Sequence, residues 1–343
     1  MTHELFMQRA LELAQLGQGS VSPNPMVGCV IVYQDQVIGE GWHKKYGDWH
    51  AEVNAVNSVQ QLELLKESTV YVTLEPCSHF GKTPPCADLL ISHQVKKVII
   101  CNVDTNPLVG GQGISKLQQA GIETETGILE SQGRKLNKRF FAFMEKKRPY
   151  IILKWAQTAD GFIARENFDS KWISNDFSRT LVHKWRTEED AILVGTSTAL
   201  YDNPQLNVRN WHGENPLRLV IDLNLRLPSH LHLFDRKQPT ICYNLHKAGT
   251  EENLIWVQLQ QPDNSLQEIL QDLYARKVQS VIVEGGSKIL NSFIEKGLWD
   301  EARIFESPQV FGNGIAAPVL RAKAKKTENF FGDKLITFTP VYN

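Results

Sequence analysis

Two short stretches of the chain carry donors able to hold a metal and move a proton. Residues 50–52 read His-Ala-Glu, and residues 75–86 read Glu-Pro-Cys-Ser-His-Phe-Gly-Lys-Thr-Pro-Pro-Cys. They supply one imidazole (His50), two thiols (Cys77 and Cys86) and a carboxylate (Glu52) two residues from the imidazole. A catalytic zinc takes three N or S ligands and keeps a fourth position for water. In zinc-dependent deamination a glutamate that is not a ligand carries the proton. Cys77 and Cys86 each follow a proline, and Pro84-Pro85-Cys86-Ala87-Asp88-Leu89 reads as the start of a helix. Main-chain N–H groups and the positive dipole end favour thiolate there, the form that binds metal. Two blander readings stand beside this one: a closed structural zinc with His79 as fourth ligand, and chance spacing with no metal. The first is one ligand short unless His79 joins.

The second half has weaker motifs. Val283-Glu284-Gly285-Gly286-Ser287 follows a β-like run and precedes a helical pattern. Such a unit can hold a phosphate at the helix N-terminus. It is not a Gly-x-Gly-x-x-Gly fingerprint, so an ordinary tight turn remains open. Lys154 ends a β-like run, with Ala156 and Asp160-Gly161 following. Ser170-Lys171-Trp172-Ile173-Ser174 precedes a helix whose end carries Arg186, and Gly195-Thr196-Ser197-Thr198 leads to Asp202-Asn203-Pro204-Gln205-Leu206-Asn207-Val208-Arg209.

These residues need elements to position them. Helical spacing is expected near Leu5–Ala14, His50–Val59, Ala87–Gln94 and Lys116–Gly121. Strands are expected at Val27–Tyr33, Val37–Gly39, Thr69–Leu74, Val95–Cys101 and Ile122–Thr126. The basic stretch 134–148, with Phe140, Phe141 and Phe143, predicts one amphipathic helix leading to a linker, or else a partner-binding basic helix. Arg148-Pro149 then punctuates the chain, dividing it into domains 1–147 and 148–343. The second domain restarts the rhythm, with strands at Tyr150–Lys154, Ala191–Val194, Leu217–Asp222, Thr240–Tyr243, Ser280–Glu284 and Glu301–Phe305. Its helices are expected at Ser174–Trp185, Leu266–Lys277 and Lys288–Gly297. Alternating strand and helix predicts a layered α/β class.

Composition narrows the function. The 343 residues are 42% hydrophobic and 22% charged, with a net charge of −1. That is ordinary for a globular protein and gives no basic excess for nucleic acid. No apolar run reaches the roughly 20 residues that cross a bilayer. Five cysteines, an odd number at low density, argue against a disulfide scaffold. Cys29, Cys101 and Cys242, in apolar runs, read as core. A cytoplasmic enzyme without membrane or nucleic-acid partners is expected.

The zinc-type residues resemble the cytidine-deaminase-like superfamily, and within it the bifunctional deaminase/reductases of bacterial riboflavin biosynthesis. Nucleoside and nucleic-acid deaminases usually carry Pro-Cys-x-x-Cys; here eight residues, Ser78 to Pro85, separate the cysteines. The segment from Glu75 to Cys86 and Pro23-Asn24-Pro25-Met26-Val27-Gly28 are similar to that branch's own motifs. The resemblance implies one zinc per chain on His50, Cys77 and Cys86, with Glu52 as proton shuttle. It implies that Asn24 and His43 line a pyrimidine pocket and that His79 and Lys82 meet a ribose phosphate. Cationic donors in the long loop suit a phosphorylated substrate.

From about Pro149 to Leu320 the chain resembles the reductase half of the same family, which implies a dihydrofolate-reductase-like fold and NADPH. Ala156, Trp172, Thr198, Asp202 and the stretch Gly286, Ser287, Lys288, Ile289, Leu290, Asn291 and Ser292 would contact the cofactor. Ser170, Arg186, Leu206, Arg209 and Glu284 would contact the substrate, with Lys154 by the reacting ribose carbon and Asp202 nearby. Arg186 and Arg209 suit a phosphate clamp, since guanidinium grips phosphate through paired N–H groups. Two departures stand out. Phe168-Asp169 occupies a place where glycine and an acidic residue are common, and Asn203 stands where aspartate is common.

The expectation is therefore an α/β protein with an N-terminal cytidine-deaminase-like three-layer domain and a C-terminal dihydrofolate-reductase-like domain, forming a homo-oligomer. It would deaminate 2,5-diamino-6-(5-phosphoribosylamino)pyrimidin-4-one, then reduce the ribosyl to a ribityl chain with NADPH, giving 5-amino-6-(5-phosphoribitylamino)uracil. Three other readings compete. The chain could be a tRNA or nucleoside deaminase with an unrelated second domain, a nucleotide-binding regulator with a dead metal site, or a deaminase whose second domain is silent. The long Cys–Cys insertion speaks against the first and the intact Glu52 against the second.

Overall fold

The computed structural model describes residues 2–80, 84–106, 110–170 and 173–340. The chain divides into two compact units, Met1–Lys147 and Arg148–Asn343. Among the described residues no helix is long and apolar enough to cross a membrane.

The first unit runs α1 (His3–Gln15), β1 (Gly28–Tyr33), β2 (Gln36–Trp42), α2 (Ala51–Asn57), β3 (Thr69–Leu74), α3 (Cys86–Ser92), β4 (Lys97–Asn102), α4 (Gln112–Gln119), β5 (Glu123–Thr126), α5 (Glu130–Leu136) and α6 (Lys138–Lys146). Its sheet has the order β2-β1-β3-β4-β5. β1 is antiparallel to β2 and β3, while β3, β4 and β5 are parallel. The strands alternate as a sheet buried on both faces must. Cys29, Ile31, Val70, Val72, Val98 and Ile100 meet α2, α3 and α4 on one side. Val30, Val32, Tyr71, Ile99 and Cys101 meet α1 on the other. The result is three layers, with helices covering both faces. Gly41 is required: a Cβ there would lie 2.3 Å from the Ala55 nitrogen, so only glycine lets α2 settle on β2.

The single helix expected over 134–148 is two helices, α5 and α6, broken at Asn137. The Asn137 side chain accepts from Met26 N (2.8 Å) and donates to Met26 O (2.8 Å), binding the break to a segment over a hundred residues earlier. Phe140, Phe141 and Phe143 are buried.

The second unit runs β6 (Tyr150–Gln157), β7 (Phe162–Ala164), α7 (Asp176–Glu188), β8 (Ala191–Gly195), α8 (Thr196–Asp202), β9 (Leu217–Ile221), β10 (Thr240–Asn244), β11 (Gly249–Glu251), β12 (Leu254–Gln258), α9 (Ser265–Ala275), β13 (Ser280–Glu284), α10 (Ser287–Glu295), β14 (Glu301–Glu306), β15 (Ile315–Ala316), β16 (Ala324–Phe330) and β17 (Asp333–Phe338). Ten of these strands form one sheet, ordered β11-β12-β10-β9-β8-β13-β6-β14-β17-β16. From β12 to β14 the neighbours are parallel; β11, β17 and β16 are antiparallel edges. β7 and β15 pair separately. One face packs on α9 and α10 through Leu266, Ile269, Leu270, Leu273, Leu290 and Phe293. On α7, Trp185 stacks on Phe305 of β14 and lies under the Arg303 guanidinium.

The chain leaves β6, skips a place to β8, builds outward to β12, and returns to insert β13 in the gap. That crossover puts the carboxyl ends of β6, β13 and β8 side by side, the place where open α/β sheets bind ligands. β7, β11, β12, β15, β16 and β17 were not expected, nor was α8.

Candidate active sites

In the first unit the metal donors come from three element ends. His50 is the residue just before α2, in extended backbone, so its ring projects off the helix end. Cys77 follows β3, and Cys86 opens α3 behind Pro85. His50 Nδ1 lies 3.6 Å from Cys77 Sγ and 3.3 Å from Cys86 Sγ, and Cys86 N–H donates to Cys77 Sγ at 3.2 Å. A tetrahedral zinc, with bonds of about 2.3 Å to sulfur and 2.0–2.1 Å to nitrogen, separates its donors by roughly 3.5–3.8 Å. The three donors, all within 4.8 Å of one another, fit that ion. His79 is not among them, so among the described residues three ligands converge.

Glu52 sits in the first turn of α2 and is buried. Burial, then the Cys77 thiolate, pushes its carboxyl up to about 7. The Cys77 thiol is brought down to about 4 by hydrogen bonds from Cys86 and His50, against the opposing effect of burial. Cys86, sharing that bond with Cys77 and more deeply buried, is raised. Cys29, Cys101 and Cys242 are fully buried in strands.

His50, Cys77 and Glu52 open on a cavity of about 300 Å³, while Cys86 is buried behind them. Asn24, His43 and His79 line it with them. His43 Nδ1 lies 3.0 Å from the Trp49 carbonyl and must donate to it, so Nε2 accepts from Asn24 Nδ2 at 3.1 Å. Burial lowers the His43 pKa, against the opposing effect of the Trp49 bond, and so favours the neutral ring that this pattern of bonds uses. Lys82 lies outside the described residues.

Asp104 and Asn106 also line the cavity and were missed by the sequence reading. They follow β4, and the signal that points to them is their place just past the carboxyl end of a parallel strand. Glu75 fixes their loop by accepting N–H groups from Asp104 (3.2 Å), Gly111 (2.9 Å), Gly113 (2.9 Å) and Ile114 (3.3 Å).

In the second unit the expected residues gather at the carboxyl ends of β6, β13 and β8. Lys154 and Glu284 are register partners, with Lys154 Nζ 3.8 Å from Glu284 Oε2. Arg186, near the end of α7, grips the same carboxylate, with Nη2 3.1 Å from Oε2 and Nε 3.3 Å from Oε1. Its Nη1 donates to Asn207 O at 3.0 Å. Arg209 N–H donates to His183 Nδ1 at 3.4 Å, and Leu206 is buried. Burial alone would raise the Glu284 carboxyl, but the Arg186 and Lys154 charges hold it at about 2. Burial in turn lowers Lys154.

Thr198 Oγ1 accepts the Gly286 N–H at 2.7 Å, tying α8 to the start of α10. Ser170 Oγ donates to Asp202 Oδ1 at 3.1 Å. Ala156 lies on β6, beside Phe305 of β14. Ser287, Lys288 and Ile289 form the first turn of α10, while Leu290 turns into the core and Asn291 and Ser292 lie further along the helix. Trp172 lies outside the described residues. Both departures adopt left-handed backbone: φ is +68° at Phe168 and +39° at Asn203. Asn203 Oδ1 accepts the His232 N–H at 2.8 Å.

Comparison with known proteins agrees with both units. Residues 1–102 match the cytidine and deoxycytidylate deaminase zinc-binding region, and residues 149–333 match the RibD C-terminal domain. The riboflavin biosynthesis protein RibD of Aquifex aeolicus is 38% identical over 97% of both chains, and that of Escherichia coli is 35% identical over 91% of this chain and 89% of its own. Among solved structures, Acinetobacter baumannii RibD superposes with a TM-score of 0.90 at 36% identity, covering 99% of each chain. A diaminohydroxyphosphoribosylaminopyrimidine deaminase/5-amino-6-(5-phosphoribosylamino)uracil reductase from Thermotoga maritima gives 0.90 at 37% identity over 98% of each. Full-length likeness of sequence and structure, with a zinc-type donor set in one unit and a RibD C-terminal domain in the other, means that the chain belongs to the RibD family.

Proposed function

We propose how the two units divide the work of this riboflavin-biosynthesis enzyme, which is both a deaminase and a reductase. The first unit hydrolyses the exocyclic amine of 2,5-diamino-6-(5-phosphoribosylamino)pyrimidin-4-one. The second reduces the ribosyl of the product to a ribityl chain with NADPH, giving 5-amino-6-(5-phosphoribitylamino)uracil. The enzyme works in the cytoplasm, as a homo-oligomer, on small phosphorylated pyrimidines.

The carrying observation is that three donors converge, and that two of them, His50 and Cys77, line one cavity with the buried Glu52, Asn24 and His43. Zinc, one per chain, supplies when bound the Lewis acidity that makes water a nucleophile at neutral pH. His50, Cys77 and Cys86 hold it. Glu52 accepts the proton of the attacking water and returns it to the departing amine, a task suited to a carboxyl pushed up to about 7. Since His43 takes up the Asn24 amide N–H, the Asn24 carbonyl is left to accept from the pyrimidine. His79, with Lys82, meets the ribose phosphate.

In the second unit NADPH supplies the hydride. Lys154 stands by the reacting ribose carbon, with Asp202 nearby. Arg209 receives the phosphate, and Arg186, locked to Glu284, gives that clamp a fixed edge. Ser170 and Leu206 complete the substrate contacts. Ala156, Trp172, Thr198, Asp202 and the start of α10 hold the cofactor.

A coupled assay tests the reading. Full-length enzyme receives the diaminopyrimidine ribotide, and ammonia and NADPH are followed separately. Ammonia release without NADPH, and NADPH oxidation only after it, is the expected result. Deamination of cytidine or a tRNA loop, with no action on the ribotide, would overturn it.

A further inference from the structure

The loop between β7 and α7 is held by a contact that the proposed mechanism leaves unused. Phe168 occupies left-handed backbone, φ +68°, a region in which a bulky residue is sterically opposed. The turn is tight: Phe168 N–H donates to Arg165 O (2.9 Å) and Arg165 N–H to Asp169 O (2.9 Å). In this conformation the Phe168 ring lies flat on Tyr201 of α8, with centroids 4.1 Å apart and planes 4° from parallel. Both rings stay well exposed, 39% for Phe168 and 52% for Tyr201, so burial in the core does not explain the pair. Strained backbone persists only where its surroundings over-determine it, and such places cluster at functional sites.

The stack's neighbours show what it holds. Two residues beyond Phe168 is Ser170, and immediately after Tyr201 is Asp202. Ser170 Oγ donates to Asp202 Oδ1 at 3.1 Å. Loop and helix are thus tied twice within a few residues, once by the rings and once by the bond between two proposed ligand-contacting side chains. We propose that Phe168 and Tyr201 are positioning residues of the reductase: their stack latches the Ser170 loop onto α8 and sets the Ser170–Asp202 pair for substrate and cofactor. This rests on the assignment of Ser170 and Asp202 to the reductase site.

The test uses full-length enzyme and the deaminated ribotide, with NADPH oxidation followed at steady state. Phe168→Ala and Tyr201→Ala are each expected to raise KM for substrate and NADPH about two- to tenfold, the size of one aromatic pair, with kcat within about twofold. The double variant is expected to be no worse than either single one, because both break the same contact. Tyr201→Phe, which keeps the stack, restores the wild-type KM. Amide hydrogen exchange over 165–170 quickens in both alanine variants, whereas ammonia release is unchanged.

Wild-type KM in both single variants, or effects that multiply in the double one, would overturn the latch. If Phe168→Ala fails to fold, Tyr201→Ala and Tyr201→Phe still decide it. Asp202→Ala separates the latch from its premise. If that variant reduces substrate normally, the site assignment falls; if it is inactive while the stack variants are kinetically silent, only the latch falls.

Discussion

Two glutamates at the candidate sites, one in each unit, meet opposite surroundings. Glu52 shares its cavity with the Cys77 thiolate, and burial and that charge together push its carboxyl up to about 7. Glu284 is nearly as enclosed, its side chain 14% exposed, but Arg186 and Lys154 stand against it and hold it at about 2. Burial acts in the same direction on both, so the charges around them decide the outcome. The first carboxyl can exchange a proton near neutral pH; the second is a permanent charge that organises two cations. This matches the chemistry proposed for each unit, proton transfer in one and phosphate and hydride placement in the other.

The largest expected effect comes from removing the proton carrier. Glu52→Gln keeps the shape of the side chain and leaves all three metal donors in place. Zinc content should stay at one per chain while ammonia release falls about 10²–10⁴-fold, the usual worth of general acid–base catalysis. NADPH oxidation with ready-deaminated substrate should be unchanged. Loss of zinc in this variant would make Glu52 a ligand and dissolve the contrast with Glu284.

Glu284→Gln attacks the other side of the comparison. It leaves Arg186 and Lys154 facing each other across a neutral amide. Breaking a buried ion pair from one side costs about 3–5 kcal/mol. The second unit should melt earlier by that measure in denaturant titration and lose NADPH oxidation, while ammonia release persists. If ammonia release fell in step, the two sites would not be separable.

The two sites also differed in how readable they were. His50, Glu52, Cys77 and Cys86 stand in two short stretches with metal-ligand spacing, so their chemistry could be read directly. Lys154, Arg186 and Glu284 come from three distant segments, and only a family resemblance pointed to them. Their closeness depends on β13 returning to fill the gap between β6 and β8, a crossover with no local signal. Likewise β16, Ala-Lys-Lys-Thr-Glu-Asn-Phe, shows no alternation because it is a largely exposed edge, made a strand by pairing with β17. The break at Asn137 was hidden for a similar reason: the Met26 main chain that it binds is remote in sequence. Asp104 and Asn106 escaped because nothing in their types marks them without the cavity around them.

A milder probe is acid. Burial, with the charges of Arg186 and Arg209, lowers His183 to about 4 from 6.5. Below pH 6.5 the unfolded chain binds this proton before the folded one, so stability declines as pH falls toward 4. Glu284, at about 2 against 4.5, extends the decline from pH 4.5 down to about 2. Both effects act in the same direction. His183→Gln should remove the upper phase, worth at most about 3 kcal/mol by the size of the shift and less after solvent screening, and leave the lower one. Denaturant midpoints of the second unit between pH 7 and 3 would show it. An unchanged profile would mean that His183 is already solvated and that the charge network does not reach beyond Glu284.

The smallest effect is expected at Asn203, where backbone geometry and not charge supports the second site. Asn203 ends α8 one residue after Asp202, in left-handed backbone, and its Oδ1 accepts the N–H of His232. Asparagine tolerates this conformation better than most residues. Asn203→Ala loses the acceptor and keeps the steric cost, for about 1–2 kcal/mol. Asn203→Gly loses the acceptor but relieves the backbone and should fall between alanine and wild type. Asn203→Asp keeps an acceptor oxygen and should lie within about 0.5 kcal/mol of wild type. The order Asp, Gly, Ala in thermal melts, repeated in KM for NADPH, would show that the turn places Asp202. If stability followed this order but KM did not move, the turn at Asn203 would not be what places Asp202.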